Sequence, residues 1–175
     1  MSDLLLIPLD GFASGEQKFS WRVGKEFFGS FDNTEILDAS IDADVSARKA
    51  ADRILVDCSL RGEVTVECDR CLEDLQIPVD EEVRLKLVFA EESADEDDGR
   101  EAVEVRSTDT AFDMAQTIYD YVCLSLPIQR FHKDGGCNPE VMDRISRGVT
   151  TKVGENEAGT EEPNPFAALQ SLFNK

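Results

Sequence analysis

Apolar and polar residues alternate with period two through much of the first half of the chain. Leu37, Ala39, Ile41, Ala43, Val45 and Ala47 take every second position, with Asp38, Ser40, Asp42, Asp44 and Ser46 between them. One face of such a segment is apolar and the other polar, which predicts a half-buried strand. The same period returns at Ile54, Val56, Cys58 and Leu60, and again at Val64, Val66 and Cys68. Arg61-Gly62 between these two runs reads as the turn of an antiparallel hairpin. Leu75, Ile77 and Val79 alternate once more, and Val83, Leu85, Leu87 and Phe89 form the clearest strand of the second half. The runs predict a meander that turns through Cys68-Asp69-Arg70-Cys71.

Beyond Phe89 the pattern changes. Residues 91–98, Glu-Glu-Ser-Ala-Asp-Glu-Asp-Asp, repel one another and lack an apolar period, which predicts a mobile loop. Ala102, Val103 and Val105 predict an edge strand. Thr110 and Asp113 resemble a capping box opening a helix that ends near Leu126, before Pro127. Ala111, Met114, Ala115, Ile118, Tyr121, Val122 and Leu126 then fall on one helical stripe, suited to packing on a sheet. Residues 138–146 predict a second short helix. The Gly- and Glu-rich stretch that follows reads as a linker, and Phe166, Leu169, Leu172 and Phe173 share one face of a helix beginning after Pro163. In the segment 15–31, the aromatic residues Phe19, Trp21, Phe27, Phe28 and Phe31 follow no single period, leaving strand and helix both open.

The expected architecture is α+β: an antiparallel meander sheet packed by one main helix, plus a short C-terminal helix on a flexible linker. Residues 1–147 form the expected domain, 148–163 the acidic linker and 164–175 the C-terminal amphipathic helix. At 175 residues the chain has room for one such core.

Charge narrows the function classes. With 37 Asp and Glu against 18 Lys and Arg, the formal net charge is −19, which disfavours non-specific association with nucleic acid or an anionic membrane. An acidic mimic of RNA, competing for a basic protein, is one reading of that charge. The apolar runs are short and the N-terminus lacks a basic, apolar leader, which predicts a soluble cytoplasmic protein that engages no membrane. Locally the balance reverses. Between Arg130 and Lys152, Arg130, Lys133, Arg144, Arg147 and Lys152 outnumber Asp134, Glu140 and Asp143. With Arg70, this segment is the candidate RNA or partner contact.

Five cysteines in a cytoplasmic chain point to metal binding or burial rather than disulfides. Cys68 and Cys71, two residues apart at a turn between strands, can point two thiolates at one ion. Two more ligands are required, and His132 and Cys137 in a glycine-bearing loop are the candidates; zinc is then the expected cofactor. The competing reading leaves Cys68 as an inward strand residue, Cys71 as a turn residue and His132 as an ordinary loop residue. Cys58 and Cys123 fall at core positions of a strand and a helix. A thioredoxin-like activity would place the first cysteine at a helix N-terminus, which this pattern does not. No phosphate-binding glycine loop or hydrolase motif is present, so neither a catalytic residue nor a small-molecule substrate is assigned.

Three segments together carry a resemblance: Val66-Glu-Cys-Asp-Arg-Cys-Leu-Glu73, Ile118-Tyr-Asp-Tyr-Val-Cys-Leu-Ser-Leu-Pro127 and Asn164-Pro-Phe-Ala-Ala-Leu169. In that order they resemble the YceD family over about Leu37 to Pro139 plus the tail. The resemblance implies a role in large-subunit ribosomal RNA accumulation or ribosome biogenesis, without an enzymatic reaction. Partners would be that RNA or a large-subunit ribosomal protein. Cys68, Cys71 and Cys137 map onto the family's cysteine positions. A thiol- or zinc-based redox-responsive interaction protein is the alternative reading of the same cysteines.

Overall fold

The structure, a computed structural model, describes residues 5–9, 15–89, 99–133 and 135–148. The chain divides into two units, Met1–Asn138 and Pro139–Lys175. In the first unit, β1 (Leu6–Pro8) is followed by β2 (Glu16–Gly24), α1 (Lys25–Gly29), β3 (Ile36–Ala50), β4 (Arg53–Glu67), β5 (Asp74–Phe89), β6 (Glu101–Val105), β7 (Ala111–Asp113) and α2 (Ala115–Ser125). A five-stranded sheet runs β2-β3-β4-β5-β6, antiparallel except for the parallel pair β5–β6. β1 and β7 pair separately in an antiparallel ribbon. The class is α+β with a mostly antiparallel sheet, as the alternation predicts.

Alternation drives this assembly because each strand has one face to bury. Ile41, Ala43, Val45 and Ala47 of β3 are buried, while Asp42 and Asp44 between them are exposed. Opposite them Ile54, Val56, Cys58 and Leu60 of β4 and Val79, Val83, Leu85 and Leu87 of β5 complete the apolar face. Met114, Ile118 and Val122, at helical spacing in and beside α2, belong to the same buried cluster. Burying each large aliphatic side chain is worth about 1.5–3 kcal/mol, so this face dominates the stability. A bulge between Ile36 and Asp38 shifts the register, burying Ile36 and leaving Leu37 half-buried.

The expected hairpin at Arg61-Gly62 does not form; β4 is one strand through both residues. Strand parity explains why. A two-residue turn there would pair Leu60 with Glu63 and send Val64 and Val66 to the face opposite Leu60. A continuous strand keeps Ile54, Val56, Cys58, Leu60, Val64 and Val66 on one face, and all six are buried. Gly62 takes the position between Leu60 and Val64 at φ 155, paired with Ile41 and Val79 of the adjoining strands, and is itself exposed. A Cβ there would run into the Ser40 carbonyl oxygen and lie 2.8 Å from the Ile41 Cα. The chain turns instead at Ala51-Asp52, between β3 and β4, and at the cysteines, between β4 and β5. The two alternating runs of 75–79 and 83–89 are likewise one strand, β5. Pro78 pairs with Glu63 of β4 on the stretch of β5 that β6 leaves unpaired.

The capping box expected at Thr110 and Asp113 is also overturned. Ala111–Asp113 is β7, paired with Leu6–Pro8 from the start of the chain, and this distant partner overrides the local signal. Helix α2 begins at Ala115, whose N–H donates to Asp113 Oδ1 at 2.9 Å, and it ends at Ser125, before Pro127 as expected. The aromatic segment 15–31 has no single period because it contains both β2 and α1. Phe28 is fully buried, and the Phe31 ring stacks on Tyr119 of α2 at 4.3 Å.

In the second unit α3 (Pro139–Ser146) forms where the sequence predicts a short helix. The expected acidic loop at 91–98, the expected linker beyond Gly148 and the expected helix at 164–175 lie outside the described residues. Among the described residues, no helix is long and apolar enough to cross a membrane.

A candidate metal centre between two loops

Cys68 is the next inward position after Val66 on the parity of β4, and its side chain is fully buried at the strand end. The chain then reverses tightly. The Leu72 N–H donates to the Cys68 carbonyl and the Cys68 N–H to the Glu73 carbonyl, both at 2.9 Å. Leu72 takes a left-handed conformation, φ 60, to close the turn. Cys71 is thereby returned to the inside of the turn, where it is buried as well.

A second loop leaves α2 at Pro127 and is bound to the first by reciprocal hydrogen bonds. The Asp69 N–H donates to the Arg130 carbonyl and the Arg130 N–H to Asp69 Oδ2, each at 2.7 Å. The Arg130 guanidinium adds a bond from Nη1 to Glu35 Oε2 at 2.9 Å, with Nε 3.7 Å from Asp69 Oδ1. Farther along, Asn138 Nδ2 donates to Glu73 Oε1 at 2.7 Å. Gly135 at φ 80 and Gly136, where a Cβ would lie 2.9 Å from that of His132, let this loop double back so that Cys137 meets His132.

Cys68, Cys71, His132 and Cys137 thus bring four potential ligand atoms within 4.8 Å of one another. The Cys68 and Cys137 sulfurs are 3.9 Å apart, and His132 Nδ1 is 3.5 Å from Cys71 Sγ and 3.9 Å from Cys137 Sγ. A tetrahedral ion with bonds of about 2.3 Å to sulfur and about 2.0 Å to nitrogen separates its ligand atoms by roughly 3.5–3.8 Å. Three of the six donor separations therefore stand close to those of a coordination shell, and all fall within 4.8 Å. His132 Nε2 lies 3.1 Å from the Asp74 carbonyl. A carbonyl only accepts, so the Nε2 proton is held there and Nδ1 is turned toward the thiols.

Electrostatics single out Cys68 within the cluster. Burial pushes the Cys68 thiol up, but hydrogen bonds from the backbone at Cys71, Arg70 and His132 and from the Cys71 side chain outweigh it, leaving Cys68 near 6. His132 is raised, chiefly by its hydrogen bond with Cys68 and then by the Asp74 carbonyl. Cys137 is raised by desolvation first and by the neighbouring thiols second. The cluster favours a thiolate at Cys68, the form in which a cysteine binds metal. Such an arrangement can hold a metal ion.

Cys58 is buried as expected, its thiol pushed up to about 12 by desolvation and the nearby Glu82 and Asp44. Cys123 is half-buried at the edge of the core.

The candidate contact residues belong to both units. Arg70 stands over the Phe131 ring, 4.0 Å from its centroid. Arg130 is engaged by Glu35 and Asp69, and Lys133 is exposed beside His132. In the second unit Arg144 lies exposed on α3, and Arg147 follows the end of that helix and pairs with Asp143 at 2.7 Å. Sequence reasoning missed the Asp69–Arg130–Glu35 clamp and the Asp74 carbonyl, since no spacing rule links positions so far apart in the chain.

Comparison with the curated proteins and with the solved structures gives no match. A family model described as large ribosomal RNA subunit accumulation protein YceD matches residues 56–173. That span contains the cysteine turn, the Leu124-Ser125-Leu126-Pro127 end of α2, His132, Cys137 and the Asn164–Leu169 motif. Matched over more than half of its length, the chain belongs to the YceD family.

Proposed function

We propose that this chain is a non-catalytic factor in large-subunit ribosomal RNA accumulation, acting through the surface its two joined loops present. A zinc ion held by Cys68, Cys71, His132 and Cys137 fixes that surface. The observation that carries this reading is the convergence of the four donors from two distant segments, inside the span that matches the family. Three thiolates and an imidazole at tetrahedral spacing suit zinc. Four protein ligands fill its shell and leave no open position for water or substrate, which favours a structural role. The partner is large-subunit ribosomal RNA or a large-subunit ribosomal protein.

The test is complementation of a strain lacking the protein with wild-type or Cys68→Ser/Cys71→Ser chains, reading the ratio of large- to small-subunit ribosomal RNA. A lowered ratio that only the wild-type chain restores is the expected result. A normal ratio in the deletion strain would sink the role itself, and full rescue by the folded double variant would remove the cysteines from it.

A second reading, a redox-responsive interaction protein, draws on the 3.9 Å between the Cys68 and Cys137 sulfurs. Hydrogen peroxide would take two electrons from the Cys68 and Cys137 thiolates and two protons from solvent, leaving as two waters, while the disulfide forms between the two sulfurs and the zinc is released. An unchanged thiol count and zinc content after peroxide treatment would eliminate it.

A further inference from the structure

We infer that the face built by the two joined loops receives a lysine- or arginine-rich protein segment carrying an apolar anchor residue, rather than RNA. This names the partner class for the surface assigned under the proposed function and rests on that reading.

Large apolar side chains stand out from this face. Leu72 is 71% exposed and Ile128 is wholly exposed, while Phe131 is partly covered by Arg70. Leu72 also holds a left-handed backbone, which costs a non-glycine residue about 1–2 kcal/mol. That cost brings no burial in return within the described unit, although the turn places the side chain on a rigid platform. Its position suits an anchor that packs against a partner.

Charge selects the occupant. A cavity of about 330 Å³ lies beside Leu72 and is lined by Glu35, Glu67, Asp69 and Arg130. Arg130 is the cation there, and Glu35 and Asp69 already engage it. Among the described residues around the two loops, the carboxylates Glu35, Asp38, Glu67, Asp69, Glu73 and Asp74 outnumber the cations Lys25, Arg70, Arg130 and Lys133. Three thiolates around a divalent ion would add a further negative charge. A polyphosphate backbone meets net repulsion on this face, and the whole chain at −19 deepens it. A basic segment meets attraction, and its apolar residue finds Leu72 at the lining of the cavity.

The experiment places benzoylphenylalanine at Ile128 of the full-length chain in its own cells and identifies what photo-crosslinks to it. The expected product is a protein segment of net positive charge. Its yield should fall about tenfold with Leu72→Ser, the effect of losing an apolar anchor, and severalfold with Glu67→Lys. Crosslinks to ribosomal RNA that strengthen with Glu67→Lys would overturn the inference and leave the proposed function standing. Crosslinks to an acidic or neutral segment, or none above those of the same probe at outward-facing Ser20 on β2, would overturn it too. The ribosomal RNA ratio, measured separately in the deletion strain, decides the proposed function whatever the crosslinks show.

Discussion

The sheet and the paired loops are held by different physics. Between β3 and β4 the code is local: every second residue is apolar, and burial of those residues fixes the register over a dozen pairs. Between the cysteine turn and the loop after α2, a handful of polar bonds join residues about sixty positions apart, with Asp69 and Arg130 at their centre. The first region can lose one contact and keep its shape. The second has few contacts to lose, so a single ligand or clamp residue should open it while the sheet stays intact.

The largest effect should come from Gly62→Val. Its Cβ has no room beside the Ser40 carbonyl, and its backbone conformation is closed to branched residues. A loss of about 3 kcal/mol or more, read as a lowered denaturation midpoint, is expected; a midpoint within about 0.5 kcal/mol of wild type would mean that β4 can bend away there. Next in size, Cys68→Ser should abolish binding of one zinc per chain, measured by elemental analysis. Amide exchange should then accelerate at least tenfold in 68–74 and 128–138 but not in β4. Acceleration spreading through the sheet would erase the contrast between the two regions.

Asp69→Ala removes both the carboxylate that receives the Arg130 N–H and one partner of its guanidinium. Zinc affinity in chelator competition should drop by roughly 10–100-fold, as for other groups that orient ligands from behind; unchanged affinity would show that the four donors hold the loops unaided. The smallest change is expected at the β3–β4 turn. Ala51 sits at φ 56, and Ala51→Gly should stabilise the chain by about 0.5–1 kcal/mol in denaturant titration. A destabilised variant would point to unfolded-chain entropy as the larger contribution.

The same contrast governs what could be read in the sequence. The strands are legible because burial repeats every second residue, and the four metal-ligand candidates because cysteine pairs and a histidine with a following cysteine are rare enough to be noticed. Arg61-Gly62 misleads because glycine marks both tight turns and close backbone approach, and only the shared parity of Leu60 and Val64 separates the two. Thr110 and Asp113 look like a cap because the competing partner of Ala111–Asp113 lies at Leu6–Pro8, beyond any local window. Arg130 reads as a free cation because Glu35 and Asp69 approach it only after folding.

One consequence follows from Cys68 sharing the parity of Val66. Sliding β4 by a single position against its neighbours would turn its apolar residues to water and swing the first thiol away from the other three donors in the same stroke. Assembly of the four donors is therefore a checksum on strand pairing: a chain whose donors meet has its longest hairpins in register, and a misaligned chain keeps them apart.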